Sequence, residues 1–306
     1  MTKLATLSTA AVLATTLLAA RPAGAVRAAP PPAPALTTTV FTASPGGFGV
    51  DSTLIAGEHD AILVDAQFSL AEAHRLVAMI LESKKTLTTV YITHSHPDHY
   101  FGLAVIQAAF PKAKLVALPQ TVADIKKTWA GKVKQWAPMF GVLVPTRPVL
   151  PTALKGTTLT LEGVDIEVHG TVQGDDAHNS YLWIPSTKTI IAGDVVYNGT
   201  HVWTAETNAE SRKAWMATLD QLAALNATTV IAGHKDPKQP DTAAAIKGTK
   251  DYLIAFDAAV LASKSSAELQ QKIKAKFPTL ALEPVLQMGA DAQFVPAAAK
   301  PNSTTK

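Results

Sequence analysis

Apolar positions recur along this chain at two different periods, and each change of period marks an element. "TTTVFTA" and "GVDSTLIAGEHDAILVDA" read as β-branched strands joined at a polar turn, Glu58-His59-Asp60. "SLAEAHRLVAMILESKK" then shifts to helical spacing, with Ser69 placed as its N-cap and lysines at its end. "LTTVYIT" predicts a strand, "GLAVIQAAF" a helix and "AKLVAL" a strand. "TVADIKKTWAGKVKQW" predicts an amphipathic helix with Trp129 and Trp136 near its inner face.

The second half repeats the alternation. "TTLTL", "VDIEVHG", "SYLWIP" and "KTIIAGD" predict strands, the last two joined by a hairpin turn at Pro185-Ser186-Thr187. "NAESRKAWMATLDQLAAL" predicts a helix, "TTVIAG" a strand and "DTAAAIKGTKDYLIAFDAAVLAS" a long helix. "SAELQQKIKAKF" stands as the final short helix. No repeat of solenoid period is present. Strands interspersed with helices in both halves predict α/β architecture, two sheets packed together and covered by helices.

Composition changes the picture at the ends. "MTKLATLSTAAVLATTLLAARPAGAV" has a lysine start, an apolar core and a small-x-small site at Ala23-Gly24-Ala25, the pattern of an export signal over 1–25. A Pro/Ala-rich linker follows over 26–37, then a main domain over 38–263, a helical extension over 264–296 and a frayed tail over 297–306. The expectation is a periplasmic or secreted protein with no stable membrane anchor once the signal is removed. The chain has no cysteine, so neither disulfides nor thiolate ligands enter. Its net charge is only +3 with scattered Lys and Arg, which argues against a nucleic-acid partner and leaves a small molecule as the expected substrate. Oligomeric state is not legible.

The chemistry gathers at "THSHPDHYFG". Three of the nine histidines and an aspartate fall within six positions, His94, His96, Asp98 and His99, as a strand ends. Imidazoles so crowded repel one another on protonation unless a cation lies between them. His178 stands just before a later strand. Gly193-Asp194 and Gly233-His234 each follow a β-branched apolar run, the glycine permitting a sharp departure. Five imidazoles and two carboxylates at loop positions suit two borderline metals that share one carboxylate.

This ordered set resembles the metallo-β-lactamase superfamily, over about Thr38 to Leu261. The resemblance implies a four-layer αββα sandwich with metals at the sheet edges. It implies that His94, His96 and His178 bind a first Zn2+, that Asp98, His99 and His234 bind a second, and that Asp194 bridges them. An aspartate bridge together with His99 is the pattern of glyoxalase-II-like thioesterases and lactonases. The implied reaction is hydrolysis of a small ester, lactone, thioester or amide by hydroxide formed between the metals, with Asp98 orienting the nucleophile. Tyr197 matches a lactonase tyrosine that hydrogen-bonds the substrate carbonyl. A β-lactamase and a mononuclear-iron persulfide dioxygenase are the alternatives within the same resemblance. His201 follows the bridging aspartate in "YNGTHVW", and Trp203, Trp183 and Phe101 are candidates for an apolar pocket wall.

Overall fold

A computed structural model describes residues 35–294 together with position 2, so the expected export signal, most of the linker and the tail lie outside the described residues. The first strands, β1 (Thr37–Thr42), β2 (Asp51–Ala56) and β3 (Asp60–Val64), form an antiparallel meander. Three parallel strands extend it: β4 (Thr86–Ile92) after helix α1 (Leu70–Glu82), β5 (Lys114–Ala117) after α2 (Pro97–Tyr100) and α3 (Leu103–Ala109), and β6 (Thr152–Ala153) after α4 (Pro119–Phe140). The order across this sheet is β1-β2-β3-β4-β5-β6.

The second sheet is antiparallel through β7 (Thr158–Leu161), β8 (Val164–Val172), β9 (Asn179–Ile184) and β10 (Thr189–Ile191). After the short β11 (Tyr197–Asn198) and helix α5 (Ala209–Ala224), β12 (Thr229–Ile231) pairs parallel with β10. β13 (His234–Lys235) then returns to pair with β11. Helices α6 (Ala244–Leu261), α7 (Ser266–Lys276) and α8 (Glu283–Phe294) complete the described chain.

Strand periodicity explains the layers. In β3, Ile62 and Val64 face the second sheet, where they join Tyr91, Ile166, Val168, Leu182 and Ile184 in one buried cluster. Their neighbours Ala61 and Leu63 face the other way, onto Leu76 and Ile80 of α1 and Ile106 of α3. A strand covered on both faces must be apolar throughout, hence the unbroken "AILV". Behind the second sheet, Ile190 and Val230 pack on Trp215 and Leu219 of α5 and Leu253 and Phe256 of α6. The result is the αββα sandwich.

Helix starts follow their caps. The Ser69 side chain accepts from the Glu72 N–H at 3.1 Å, and Asn208 and Ser211 cap α5 reciprocally. One expectation is corrected: α7 is not the last helix. α8 follows it, with Pro284 in its first turn, where a missing N–H costs nothing. Buried Arg212 of α5 ties this helix down, donating from Nε to Asp257 at 2.6 Å and from Nη1 to Gln293 of α8 at 3.2 Å. Among the described residues, no helix is long and apolar enough to cross a membrane.

Candidate metal centre

The end of β4 and the end of β3 build the first part of the site together. Asp65, directly after β3, accepts the Thr93 N–H at 2.9 Å and the Thr93 hydroxyl at 2.8 Å. Its Oδ2 also lies 2.7 Å from Nδ1 of His99. Because the Thr93 hydroxyl donates to Asp65, it accepts from Nδ1 of His94, 3.0 Å away. His234 donates from Nδ1 to the Phe48 carbonyl at 2.8 Å. In these three rings Nδ1 is engaged from outside and Nε2 turns inward, that of His234 lying 3.1 Å from Asp194 Oδ2. His96 is turned the other way: Nε2 lies 3.3 Å from Glu206 Oε2, and Nδ1 faces the centre.

The inward atoms form two groups. His94, His96, Asp175 and Asp194 make one, Asp98, His99 and His234 the other, the donor atoms of each lying within 4.8 Å of one another. Asp194 stands between them. Its Oδ2 is 3.7 Å from His94 Nε2 and 3.1 Å from His234 Nε2, and its Oδ1 is 3.1 Å from His99 Nε2. His234 Nε2 is also 3.3 Å from Asp98 Oδ2. Ligands of a tetrahedral zinc lie ~3.3 Å apart, given bonds of about 2.0 Å. Three buried inward atoms, His94 Nε2, His99 Nε2 and Asp194 Oδ1, have no hydrogen-bond partner. Lone pairs converging without donors fit a cation.

The electrostatics agree. Burial holds His94 well below its ordinary pKa, reinforced by the charges of His99 and His96. Burial opposes protonation of His99 too, but Asp194, Asp65 and Asp98 carry it well above normal. Asp175 is pushed up to about 7 by burial, against the pull of His96. Without a cation the cluster must balance its carboxylates with protons, which is the charge a metal displaces.

Two glycines make the close approach feasible. Gly193 has φ +50°, and a Cβ on Gly233 would lie 2.0 Å from Asp194 Oδ1. The Gly-Asp and Gly-His pairs in the sequence therefore reflect backbone packed directly against the shared carboxylate.

The structure brings together His94, His96, Asp98, His99, Asp194 and His234. It does not bring His178. That ring is half-exposed, with Nδ1 2.7 Å from Asp124 of α4. Its expected place is taken by Asp175, whose Oδ2 lies 2.8 Å from His96 Nδ1. The reason is local. Gly174 N–H bonds the Asp176 carbonyl, Asn179 donates to Asp175 Oδ1 at 2.9 Å, and Asp176 accepts the His178 N–H at 2.5 Å. This tight turn holds Asp175 inward and sends His178 towards α4.

Tyr197 donates its hydroxyl to Asp194 Oδ2 at 2.8 Å, and its ring stacks on His234 at 5.1 Å between centroids. It holds the shared carboxylate while lining the cleft above it. His201 lies outside both groups, with Nδ1 3.2 Å from the Tyr252 hydroxyl and its pKa pushed down to about 4 by burial. Of the three aromatic candidates, Trp203 lines the cleft, whereas Phe101 and Trp183 pack into the helix-facing cores. Sequence reasoning missed Asp65, Asp175 and Glu206. Gly174-Asp175 carries the same Gly-Asp signature as Gly193-Asp194, and Asp65 ends the apolar run "AILVD"; Glu206 had no signal.

The sequence model of the metallo-β-lactamase superfamily matches residues 45–234, ending on the last of the clustered histidines. This chain belongs to the metallo-β-lactamase superfamily. Solved structures similar to it share the fold. The DIM-1 metallo-β-lactamase exposed to ceftazidime is 22% identical with a TM-score of 0.52, the match covering 72% of this chain and 91% of that one. A metallo-β-lactamase family protein from Thermus thermophilus is 20% identical with a TM-score of 0.60, covering 84% and 91%. A metallo-β-lactamase from Pontibacter korlensis is 18% identical with a TM-score of 0.51, covering 72% and 94%. No curated protein gives a significant match. Superfamily membership and the His/Asp cluster together point to a metal-dependent hydrolase.

Proposed function

We propose that this superfamily member is an exported dinuclear zinc hydrolase of small esters, lactones, thioesters or amides, working in the periplasm or outside the cell. The observation that carries the reading is Asp194, one carboxylate within reach of both ligand groups. His94, His96 and Asp175 would hold one cation, Asp98, His99 and His234 the other, and Asp194 both. Bound zinc would supply Lewis acidity that brings the pKa of a coordinated water from ~15.7 towards ~7.

The chain's own groups do the remaining work. Asp65, Glu206 and the Phe48 carbonyl fix the imidazole rings from outside, so that no rotamer search precedes reaction. Tyr197 keeps Asp194 from rotating. Asp98 lines the cleft with Oδ2 3.3 Å from His234 Nε2, so its carboxylate can orient a nucleophilic water and take its proton. Export is supported by the N-terminal pattern of Lys3, the apolar run and Ala23-Gly24-Ala25.

The test is a panel of lactone, thioester, phosphoester and β-lactam substrates offered to protein reconstituted with zinc, manganese or iron. The reading expects zinc-supported turnover of lactone, ester or thioester. Turnover of β-lactams alone would make the chain a β-lactamase, and persulfide oxidation with iron would move it to another enzyme class. Asp98→Asn with its metals retained should lose most of its activity; full activity would remove Asp98 from the mechanism.

A further inference from the structure

The cleft above the ligand groups has an unusual balance of walls, which bears on what the proposed hydrolase takes. It is open to solvent. Its floor is the set of clustered carboxylates and imidazoles. Four separate segments form its walls: Phe48 from the β1–β2 loop, Phe68 from the β3–α1 loop, Trp136 from α4, and Leu282, Val285 and Met288 from α8 and the residue before it. Phe48, Phe68 and Trp136 pack edge to face with centroids 5.2–5.5 Å apart, so this wall is preformed and rigid.

Charge is the second observation. Three lining carboxylates, Asp98, Asp175 and Asp194, belong to the ligand groups and would be offset by two bound zinc ions, which leaves Glu206 and Lys132 as the charges of the walls. Lys132 is already committed, donating to Glu206 Oε1 at 3.0 Å. Among the described residues, no unengaged lysine or arginine lines the cleft to receive a substrate carboxylate.

We propose that this cleft selects neutral substrates with an apolar acyl or alkyl chain, seated between the Phe48–Phe68–Trp136 wall and the Leu282, Val285 and Met288 face of α8, and disfavours anionic ones. The proposal rests on the hydrolase reading for its turnover assay but not for its binding assay. α8 thereby gains a function: held by Arg212 through Gln293, it sets the width of the cleft.

Two measurements test it on the zinc-reconstituted full chain. In the first, methyl esters from acetate to hexanoate are compared with monomethyl adipate, which ends in a free carboxylate. The expected kcat/KM rises about fourfold per added methylene, from ~0.8 kcal/mol of transfer free energy for each buried CH2. Monomethyl adipate falls at least ~10-fold below methyl hexanoate, for the loss of that burial. In the second, calorimetry follows binding of inert ethers, from propyl to hexyl methyl ether. Affinity rises with chain length, and Met288→Glu, at a half-buried position, flattens the rise. Val285→Ser gives a second, milder flattening. Ether binding that lengthens with the chain, without ester turnover, upholds this proposal while counting against hydrolysis. Chain-length-independent binding, or equal turnover of the anionic and neutral esters, overturns it.

Discussion

At Asp175, a carboxylate stands where chemistry alone favours an imidazole. His178 is the ligand that the superfamily resemblance implies here, and histidine is the commoner metal ligand. Backbone path decides otherwise: the Gly174–Asn179 turn presents the first acidic side chain inward and the histidine three positions on to Asp124. Asp175→Asn, which keeps shape and removes charge, should therefore lower the zinc bound per chain, whereas His178→Ala should leave it at the wild-type level. Metal analysis after gel filtration reads both; the reverse result would restore His178 as a ligand. Glu206 makes a quieter prediction. It touches His96 on the side away from the centre, and loss of such an outer partner weakens metal affinity by about 10–100-fold. Glu206→Gln should show this in a competitive chelator titration. The histidine-rich turn was legible because its ligands crowd six positions, and Gly193-Asp194 and Gly233-His234 because each ends a β-branched apolar run, whereas Gly174-Asp175 follows the polar Gln173. Glu206 was not, since it lies 110 positions from the ring it orients.

Elements follow the same division between local and distant causes. Strands such as β3 and capped helices such as α1 and α5 were readable because period and cap lie within a few residues. The two-residue strands β6, β11 and β13 carry no period, and α8 has a small-residue face, with Gly289 set against Thr204, that leaves little helical stripe to read. A long-range contact of the same kind joins the β2–β3 and β7–β8 turns. Glu162, in the β7–β8 turn, accepts the N–H groups of Glu58, His59 and Asp60 at 2.6–2.7 Å. Those bonds, Asp60's the largest, pull its pKa from 4.5 to about 2. A carboxyl depressed in the folded state stabilises it fully above pH 4.5, and that stabilisation is lost as pH falls through about 2. Glu162→Gln should lower Tm at pH 7, with the gap to wild type closing progressively below pH 4.5. A gap that persists unchanged at pH 3 and below would mean the carboxylate charge is not what holds the turn.

For the whole molecule, the centre is a seam. His94, His96, Asp98 and His99 follow β4 of the first sheet, while Asp175 and Asp194 leave strands of the second and His234 begins β13 beyond it. A cation held by both sets therefore joins the two halves of the sandwich in the folded state alone, since an unfolded chain cannot bring residues 94 and 234 together. Such binding stabilises by about 2.7 kcal/mol when free metal is at ~100 times its dissociation constant. For a domain of this size each kcal/mol moves Tm by roughly 2–4 °C, so chelation should lower Tm by about 5–10 °C and added zinc should restore it. Asp194→Asn tests whether the linkage runs through the shared carboxylate. It should melt near the chelated wild type and respond little to zinc, because both ligand groups lose the side chain they have in common. A wild-type Tm indifferent to chelator and zinc would mean that the converging lone pairs of His94, His99 and Asp194 do not hold a cation.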